Sequence, residues 1–299
     1  MNVLLTGGTG MIGSHLRRAL LADGHRVWVL SRSPQRAPLP GGAQAVVWDG
    51  RSPAGWGGLV NEMDAVVNLA GEPLAHWPWT AARKQKFWDS RVNAGRALSE
   101  AIAAAEKKPR VLIQASGINH YGLSGEMADE ATPPGEDFLA RLTVAWEEST
   151  RPVEAAGVRR AVIRLGVVLA RGDGLLPLMA LPARLFAGGR LGSGRQFVPW
   201  VHINDVTAAI LFLLNEESAG GPFNVVAPQT VTNEMFYRLL CRQLKRPYWL
   251  PTPAFLLRLA LGEMSVLVLD GRAARPRRLQ EAGFEFTYTD LATALAEAL

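Results

Sequence analysis

The chain opens with NVLLTGGTGMIG (residues 2–13), a short apolar run that leads into three evenly spaced glycines, Gly7, Gly10 and Gly13. Apolar residues at helical spacing follow, and a second apolar run, Val27–Leu30, completes the unit. The order of strand, glycine turn, helix and strand is typical of a dinucleotide-binding βαβ unit. The alternative is an ordinary βαβ turn that binds no ligand.

Each glycine of this motif has a physical role in binding phosphate. Gly7 permits the tight turn, Gly10 lets backbone N–H groups approach a pyrophosphate, and Gly13 lets the helix pack closely on the strand. The amino terminus of the helix then faces the phosphates with its partial positive charge. The cofactor contacts predicted in this unit are Gly7, Thr9, Gly10, Met11, Ile12 and Gly13.

The end of the second strand indicates which dinucleotide binds. An NAD site carries an Asp or Glu there, which accepts hydrogen bonds from the ribose 2′-hydroxyl. This chain has Ser31-Arg32-Ser33 instead, with Arg36 nearby. No acid repels a 2′-phosphate and Arg32 can pair with one, so we predict NADP(H), bound by Ser31 and Arg32. The alternative is that Arg32 is a solvated residue at a strand end.

Four further apolar runs predict strands that alternate with helices: 45–48, 65–69, 110–115 and 160–165. With the first two they favour an α/β fold, a doubly wound parallel sheet of the Rossmann type. Such sheets bind ligands at the carboxyl ends of their strands. The residues Leu69, Ala70 and Gly71 follow the fourth strand, and we expect the cofactor to lie across them. Asp49, after the third strand, either bonds the adenine amino group or caps the next turn.

A predicted helix from about Thr80 to Ala105 has a charged residue on its inward face. Arg91 lies on the same helical face as Leu98 and Ile102. A buried charge is costly unless it meets an anion or a carboxylate, and the phosphates of a cofactor are one such anion. We therefore expect Arg91 to contact the cofactor, the alternative being an arginine that snorkels or pairs structurally.

The sequence changes character after Gly166, where glycine-rich segments break up the chain. We predict a dinucleotide-binding domain over 1–170, to which 199–228 returns. Residues 171–198 and 229–299 are expected to form a smaller, mainly helical lobe over the strand ends. Asn204 or Asp205 is expected to cap a helix over 206–214. The Leu- and Ala-rich run 255–269 predicts a buried or interface helix.

Bulk properties exclude several classes of protein. Among 299 residues the formal net charge is +5, with Lys and Arg scattered, so we expect no nucleic-acid partner. One cysteine, Cys241, excludes an internal disulfide and fits a reducing compartment. No leader pattern or membrane-spanning apolar run is visible, so we expect a cytoplasmic protein without membrane contact. The histidines and the cysteine form no metal-ligand spacing.

Several segments resemble the extended short-chain dehydrogenase/reductases, which include the NAD-dependent epimerase/dehydratase proteins. That resemblance is carried by residues 6–13, Asn68–Gly71, Ser116–Gly122, Arg164–Gly166 and Trp200–Asp205. A closer resemblance is to an atypical branch of cell-division-inhibitor-like epimerase family proteins. It rests on Leu30–Arg32, Trp48–Asp49, Glu72, Ser90–Arg91, Gly192–Gln196, Phe223–Pro228, Gly262–Glu263 and Gly283–Phe284.

The resemblance implies NADP(H) bound by Ser31, Arg32, Leu69, Ala70 and Arg91. It also suggests contacts at Lys86 and near Val168. Arg91 falls where most of the wider family carries an Asn, which agrees with the burial argument.

The usual catalytic pair of the wider family, Tyr-x-x-x-Lys, is missing. None of the four tyrosines has Lys four residues later, and Phe138 and Leu142 occupy the positions expected for the pair. A phenol without its neighbouring cation has a pKa near ~10 and is a poor base at neutral pH. The candidates that remain beside the expected nicotinamide are Ser116, His120 and Tyr121. Of these, His120 is expected to titrate near neutrality, or else to be a structural residue; His202 is expected to be a hydrogen-bonded core residue.

Two functions are compatible with the sequence. The first is an NADP(H)-dependent oxidoreductase or epimerase with an unusual acid/base group and a small carbonyl or sugar-nucleotide-like substrate. The second is a catalytically silent protein that senses NADPH or acts as a scaffold. The cofactor motif with its second lobe favours the first function, and the missing Tyr–Lys pair favours the second.

Overall fold

The computed structural model describes residues 1–33, 39–123 and 126–299. Within these ranges, seven strands form one parallel sheet in the order β10-β6-β5-β4-β1-β2-β3. Their bounds are Asn2–Thr6 (β1), Arg26–Ser31 (β2), Gln44–Val47 (β3), Ala65–Asn68 (β4), Val111–Gly117 (β5), Arg159–Leu165 (β6) and Gly221–Val225 (β10). The order runs outward in both directions from β1 and β4, which confirms the doubly wound sheet predicted from the sequence.

Helices cover both faces of this sheet. They are Met11–Ala22 (α1), Ala81–Ala104 (α2), Phe138–Glu148 (α3), Pro152–Ala155 (α4), Leu176–Arg184 (α5), Ile203–Asn215 (α6), Asn233–Gln243 (α7), Ala254–Leu261 (α8), Val266–Leu269 (α9), Arg277–Glu281 (α10) and Leu291–Ala298 (α11). On one face, α1 and α6 bury Leu16, Leu20 and Ile210 against the odd-numbered residues of β1 and β5. On the other face, α2 buries Leu98 and Ile102.

Side-chain caps set where several helices begin. Thr80 accepts a hydrogen bond from the backbone N–H of Arg83 and so begins α2, while Thr232 and Asp290 begin α7 and α11 in the same way. The expected cap of α6 is wrong, because α6 begins at Ile203 and His202 is its cap, accepting from the N–H of Asn204. Asp205 is buried inside α6, where it accepts from the N–H groups of Thr287 and Tyr288.

The rest of the chain packs as a smaller, mainly helical lobe around a short sheet. This sheet has the order β8-β7-β9, with bounds Val167–Ala170 (β7), Asp173–Gly174 (β8) and Trp200–His202 (β9). Helices α5, α7 and α11 share a core that includes Trp200 and Phe236. Within 199–228, β9 belongs to the short sheet and β10 pairs with β6. The division of the chain into two domains stays a prediction.

Of the two alternatives predicted for the run 255–269, a buried or an interface helix, burial does not hold for its first part. Its first part, α8, has no buried residue, and Phe255, Leu256 and Leu259 are exposed. Cys241, by contrast, is buried in α7, as its place in a helix suggested. No helix among the described residues is long and apolar enough to cross a bilayer.

Candidate functional site

The glycine turn between β1 and α1 is shaped by close backbone approaches. Gly7 has a φ of +66°, and a Cβ there would lie 2.6 Å from the carbonyl oxygen of Leu69. A Cβ on Gly13 would collide with the carbonyl of Gly7, so the first turn of α1 packs directly on the loop. At Gly10 the only close atom among the described residues is the Gly7 oxygen at 3.4 Å, and the exposed Thr9 and Gly10 leave this side of the turn open.

The amino terminus of α1 has no side-chain cap. Gly10 is the capping residue and offers no side-chain acceptor. Within residues 1–33, 39–123 and 126–299, no acceptor is assigned to the N–H groups of Met11 and Ile12. These N–H groups, together with the helix dipole, form a place where an anion is stabilised.

A buried ladder of polar side chains holds the neighbouring strand end in position. The Thr6 hydroxyl donates to Asn68 at 2.6 Å and accepts from the N–H groups of Leu69 and Ala70 at 3.1 and 3.2 Å. Asn68 in turn donates to Gln114 of β5 at 2.8 Å. The predicted residues Leu69 and Ala70 therefore lie directly against the glycine turn, and Gly71 follows them in the chain.

Arg91 reaches the same place from α2. Its guanidinium lies over the ring of Trp146 at 4.9 Å, and a Cβ on Gly71 would be 3.2 Å from its Cζ. The side chain is 7% exposed, and its one hydrogen bond to a described residue, at 3.1 Å, goes to the carbonyl of Phe87 in its own helix. Burial lowers the pKa of Arg91 to about 10, with only a partial offset from the charge of Glu72. In the described part of the chain, no carboxylate forms an ion pair with this cation.

The residues predicted to select the 2′-phosphate lie at the end of β2. Ser31 is half-buried, and Arg32 is exposed with its side chain along the backbone of Gly50. Arg36 lies outside the described residues. Asp49 caps its own turn, because it accepts from the N–H groups of Ser52 and Arg51, and these bonds lower its pKa. Of the two alternatives for Asp49, the structure shows the cap.

Two residues implied by the family resemblance take different positions. Val168 is buried in β7, and the hairpin that joins β7 to β8 brings Gly174 against Met11 of α1. Val168 therefore lies close to the glycine turn. Lys86 is exposed on α2, and five residues separate it from Arg91, which turns it by about 140° around the helix. The two side chains therefore leave α2 in different directions.

A buried ion pair organises the region after β5. The guanidinium of Arg164, in β6, donates to both carboxylate oxygens of Glu147, in α3, at 2.8 and 2.9 Å. Ser116 donates to the same carboxylate at 2.7 Å. Burial raises the pKa of Glu147, but hydrogen bonding and charge from Arg164 outweigh it, so the pKa lies below its usual value. The predicted candidate Ser116 is thus hydrogen-bonded to the carboxylate of this ion pair.

Tyr121 belongs to the same buried network. Its hydroxyl donates to Asn224 of β10 at 2.6 Å and accepts from Arg164 at 3.0 Å. Burial raises the pKa of Tyr121, so the hydroxyl remains protonated at neutral pH. Glu130 extends the network by accepting from the N–H of Asn224 at 2.9 Å.

His120 is buried beside this network with one nitrogen unused. Its Nδ1 lies 3.4 Å from Glu147 and has no hydrogen-bond partner among the described residues. Burial lowers the pKa of His120 to about 4, despite the opposing charge of Glu147. The expectation that His120 titrates near neutrality is therefore corrected by its burial. His202 differs, since it caps α6 and stacks on Tyr288 at 3.8 Å.

The sequence reasoning missed the residues that hold this cluster together. Glu147 lies four residues after Thr143 and eight after Leu139, which places it on the buried face of α3. Arg164 follows the apolar run 161–163 of β6 and is itself buried. A charge at such a position is the signal that could have identified both residues. Nothing in the sequence pattern pairs either of them with Asn224.

Comparisons with known proteins agree with this architecture. Residues 3–226 match the family model described as the NAD dependent epimerase/dehydratase family. Residues 252–298 match a second model, described as a domain of unknown function (DUF1731). Together the two matches cover both the sheet and the carboxyl-terminal part of the smaller lobe. They confirm the resemblance on which the sequence analysis relied.

Individual relatives align with this chain over its full length. Epimerase family protein YfhF from Bacillus subtilis is 38% identical, over 100% of this chain and 98% of its own length. A crystal structure of human epimerase family protein SDR39U1 (isoform 2) with NADPH has a TM-score of 0.89 and 33% identity, covering 100% of this chain and 99% of that one. The nucleoside-diphosphate sugar epimerase from Corynebacterium glutamicum has a TM-score of 0.81 and 31% identity, covering 100% of this chain and 58% of that one.

Proposed function

Since the chain belongs to the NAD dependent epimerase/dehydratase family, we propose that it binds NADP(H) and acts as an oxidoreductase or epimerase. The substrate class that we propose is a small carbonyl compound or a sugar-nucleotide-like molecule. The Corynebacterium relative is described as a nucleoside-diphosphate sugar epimerase, which supports the second of these classes.

One observation carries the cofactor proposal: the buried guanidinium of Arg91, without a carboxylate partner among the described residues, beside the open glycine turn. A buried cation is stable only where an opposite charge or several acceptors compensate it. A pyrophosphate held by the N–H groups of Met11 and Ile12 supplies that charge. The turn therefore fits the phosphates of a dinucleotide, with Leu69, Ala70 and Gly71 along their path.

We propose NADP(H) rather than NAD(H) because of the end of β2. Arg32 is exposed there, no acid follows β2 within the described residues up to 33, and a guanidinium suits a phosphate bidentately. The human relative with 33% identity was solved with NADPH, which supports the same preference.

At the nicotinamide end of the site, we propose that His120 transfers a proton to or from the substrate. Ser116 and Tyr121 are positioning residues. A bound nicotinamide supplies or accepts a hydride. The hydroxyl protons of Ser116 and Tyr121 are already donated to Glu147 and Asn224. Of the three candidates, His120 is the one with an unpartnered nitrogen in the described structure. That nitrogen, Nδ1, lies 3.4 Å from the Glu147 carboxylate without forming a hydrogen bond to it.

A second candidate function is supported by the same cluster. Neither His120 nor Tyr121 has a pKa near neutrality: burial lowers that of His120 to about 4 and raises that of Tyr121. A family member without the Tyr–Lys pair and without a poised acid/base group is suited to bind NADPH and report it to a partner without turnover. This sensor function is our alternative.

Turnover assays distinguish the two functions. NADPH oxidation is followed with sugar nucleotides, quinones and small carbonyl compounds, for the wild-type protein and His120→Gln. The proposed enzyme oxidises NADPH with one of these classes, and His120→Gln slows it roughly hundredfold or more, as loss of a general acid or base does. His25→Gln, a histidine bonded to the chain terminus, is the control with unchanged turnover. NADPH binding without turnover on any substrate supports the sensor instead.

A further inference from the structure

The smaller lobe exposes an unusual concentration of apolar side chains. Ten of the fifteen exposed large apolar residues in the described ranges lie in two segments, 175–186 and 249–259. Leu259 is 83% exposed, Leu185 68% and Phe255 66%. Scattered exposed apolar residues are ordinary, but a contiguous group of this kind marks an interaction surface.

The two segments adjoin each other. The indole N–H of Trp249 donates to the carbonyl of Phe186 at 2.7 Å. The N–H groups of Trp249 and Leu250 both donate to the carbonyl of Gly188, at 2.9 and 3.0 Å. Gly192 likewise donates to Thr252, directly before α8. Residues 175–186 and 249–259 thus form one surface, which we call the basic-apolar surface.

Charged residues within and next to the two segments have one sign, and Glu234 of α7 lies close to one of them, Arg190. Residues 175–192 and 241–262 contain no Asp or Glu. They carry six basic residues, all exposed: Arg184, Arg190, Arg242, Lys245, Arg246 and Arg258. The guanidinium of Arg246 lies 4.4 Å from the centre of the Phe186 ring, so charge and apolar area interleave. Glu263, the first acid beyond α8, is ion-paired with Lys84 of α2.

We propose that the basic-apolar surface docks peripherally on an anionic lipid surface, contrary to the expectation of no membrane contact drawn from the sequence. Trp, Phe and Leu beside Lys and Arg form the composition that lies at a membrane interface. The basic residues match the negative charge of such a surface. The side chains protrude, which suits insertion into a deformable layer. A second copy of the chain is a poorer occupant, because it would bring the same positive charges face to face.

Vesicle sedimentation tests this proposal with the full chain. The protein is mixed with vesicles of phosphatidylcholine alone, or of equal parts phosphatidylcholine and phosphatidylglycerol. We expect binding to the anionic vesicles only, weakening as salt is raised, since salt screens the charges. Phe255→Asp and Leu259→Asp each weaken binding roughly tenfold or more, because a charge replaces an inserted apolar group.

Matched controls keep the test decisive. Val47→Asp changes an equally exposed apolar residue on β3, outside the surface, and is expected to bind vesicles like the wild type. Circular dichroism and urea unfolding verify that each variant is folded, independently of lipid binding. Binding to neither vesicle, or equal binding by wild type and Leu259→Asp, overturns the proposal. It is equally overturned if light scattering finds a dimer that Leu259→Asp dissociates, because the surface is then a contact between copies.

Discussion

Arg91 and Arg164 are both buried, yet their surroundings shift the pKa of the guanidinium in opposite directions. For Arg164, burial lowers the pKa, but the two hydrogen bonds and the charge of Glu147 outweigh it, and the pKa is raised. For Arg91, burial dominates and the pKa falls to about 10. The first charge is compensated within the protein. The second forms no ion pair within the described residues, which is the physical basis of our proposal that a cofactor phosphate compensates it.

Arg91→Met tests this difference between the two arginines. Methionine keeps an unbranched side chain but removes the charge, so NADPH and NADH affinities both fall, roughly ten- to hundredfold. The free energy of unfolding of the ligand-free protein stays level or rises, because an uncompensated buried charge is lost. Calorimetric titration and urea unfolding measure the two effects. Unchanged affinity together with a lower stability would mean that Arg91 is structural.

His120 gives the protein a pH-dependent stability. Its pKa in the folded protein is about 4, against 6.5 in the absence of burial, so the unfolded chain takes up a proton first as the pH falls. The His120 contribution is therefore constant above pH 6.5 and falls toward pH 4, by at most about 3 kcal/mol. His120→Gln removes this contribution, so its unfolding free energy changes less over that window. If the unfolding free energies of the wild type and of His120→Gln fall equally between pH 6.5 and pH 4, the lowered pKa of His120 is refuted.

Among the larger elements, α3, β5, β6 and β10 are tied together by polar side chains rather than by apolar packing alone. Glu147 of α3 holds Ser116 of β5 and Arg164 of β6, and Tyr121 joins Arg164 to Asn224 of β10. Every member of such a network must be satisfied for it to be stable. The helix that should carry the family's Tyr–Lys pair is thus fixed to the sheet by an ion pair.

Glu147→Gln breaks this ion pair and leaves the Arg164 charge buried. We expect a loss of about 3–5 kcal/mol in the free energy of unfolding, measured in urea. Glu148→Gln is the matched control, because the neighbouring carboxylate is exposed and pairs with Arg151 at the surface. Such exposed pairs contribute at most about 1 kcal/mol. Equal losses of unfolding free energy for both variants would show that the buried ion pair contributes no more to stability than the exposed one.

Elements with a clear apolar period were predictable from the sequence, and their irregular ends were not. The strands and the glycine turn follow directly from runs such as 2–13, and Thr80 marks the start of α2. The start of α6 was missed because His202 is an uncommon cap, while the more usual Asp205 bonds to Tyr288 across the fold. The sequence left open whether α8 is buried or forms an interface, since an apolar run alone does not say whether the protein covers it.

Considered as one fold, the molecule brings together residues that no local pattern connects. Because β10 lies at the sheet edge beside β6, Asn224 accepts a hydrogen bond from the Tyr121 hydroxyl, although the two residues are 103 positions apart in the sequence. The dinucleotide turn could be predicted because its parts lie within one βαβ unit. The cluster around Glu147 could not, because it depends on which strands become neighbours. Local chemistry was therefore the more predictable part of this site.

The central claim is that guanidinium groups, rather than an acid, bind a dinucleotide that bears a 2′-phosphate. Its most direct test is calorimetric titration of the purified protein with NADPH and with NADH, repeated for Arg32→Ala. Arg26→Ala is the control, since Arg26 is exposed at the opposite end of the same strand. We predict that NADPH binds more tightly than NADH. Arg32→Ala, but not Arg26→Ala, is expected to lower the affinity for NADPH roughly tenfold or more and to leave the affinity for NADH unchanged. Equal affinities for the two dinucleotides, or no binding of either, would contradict the claim.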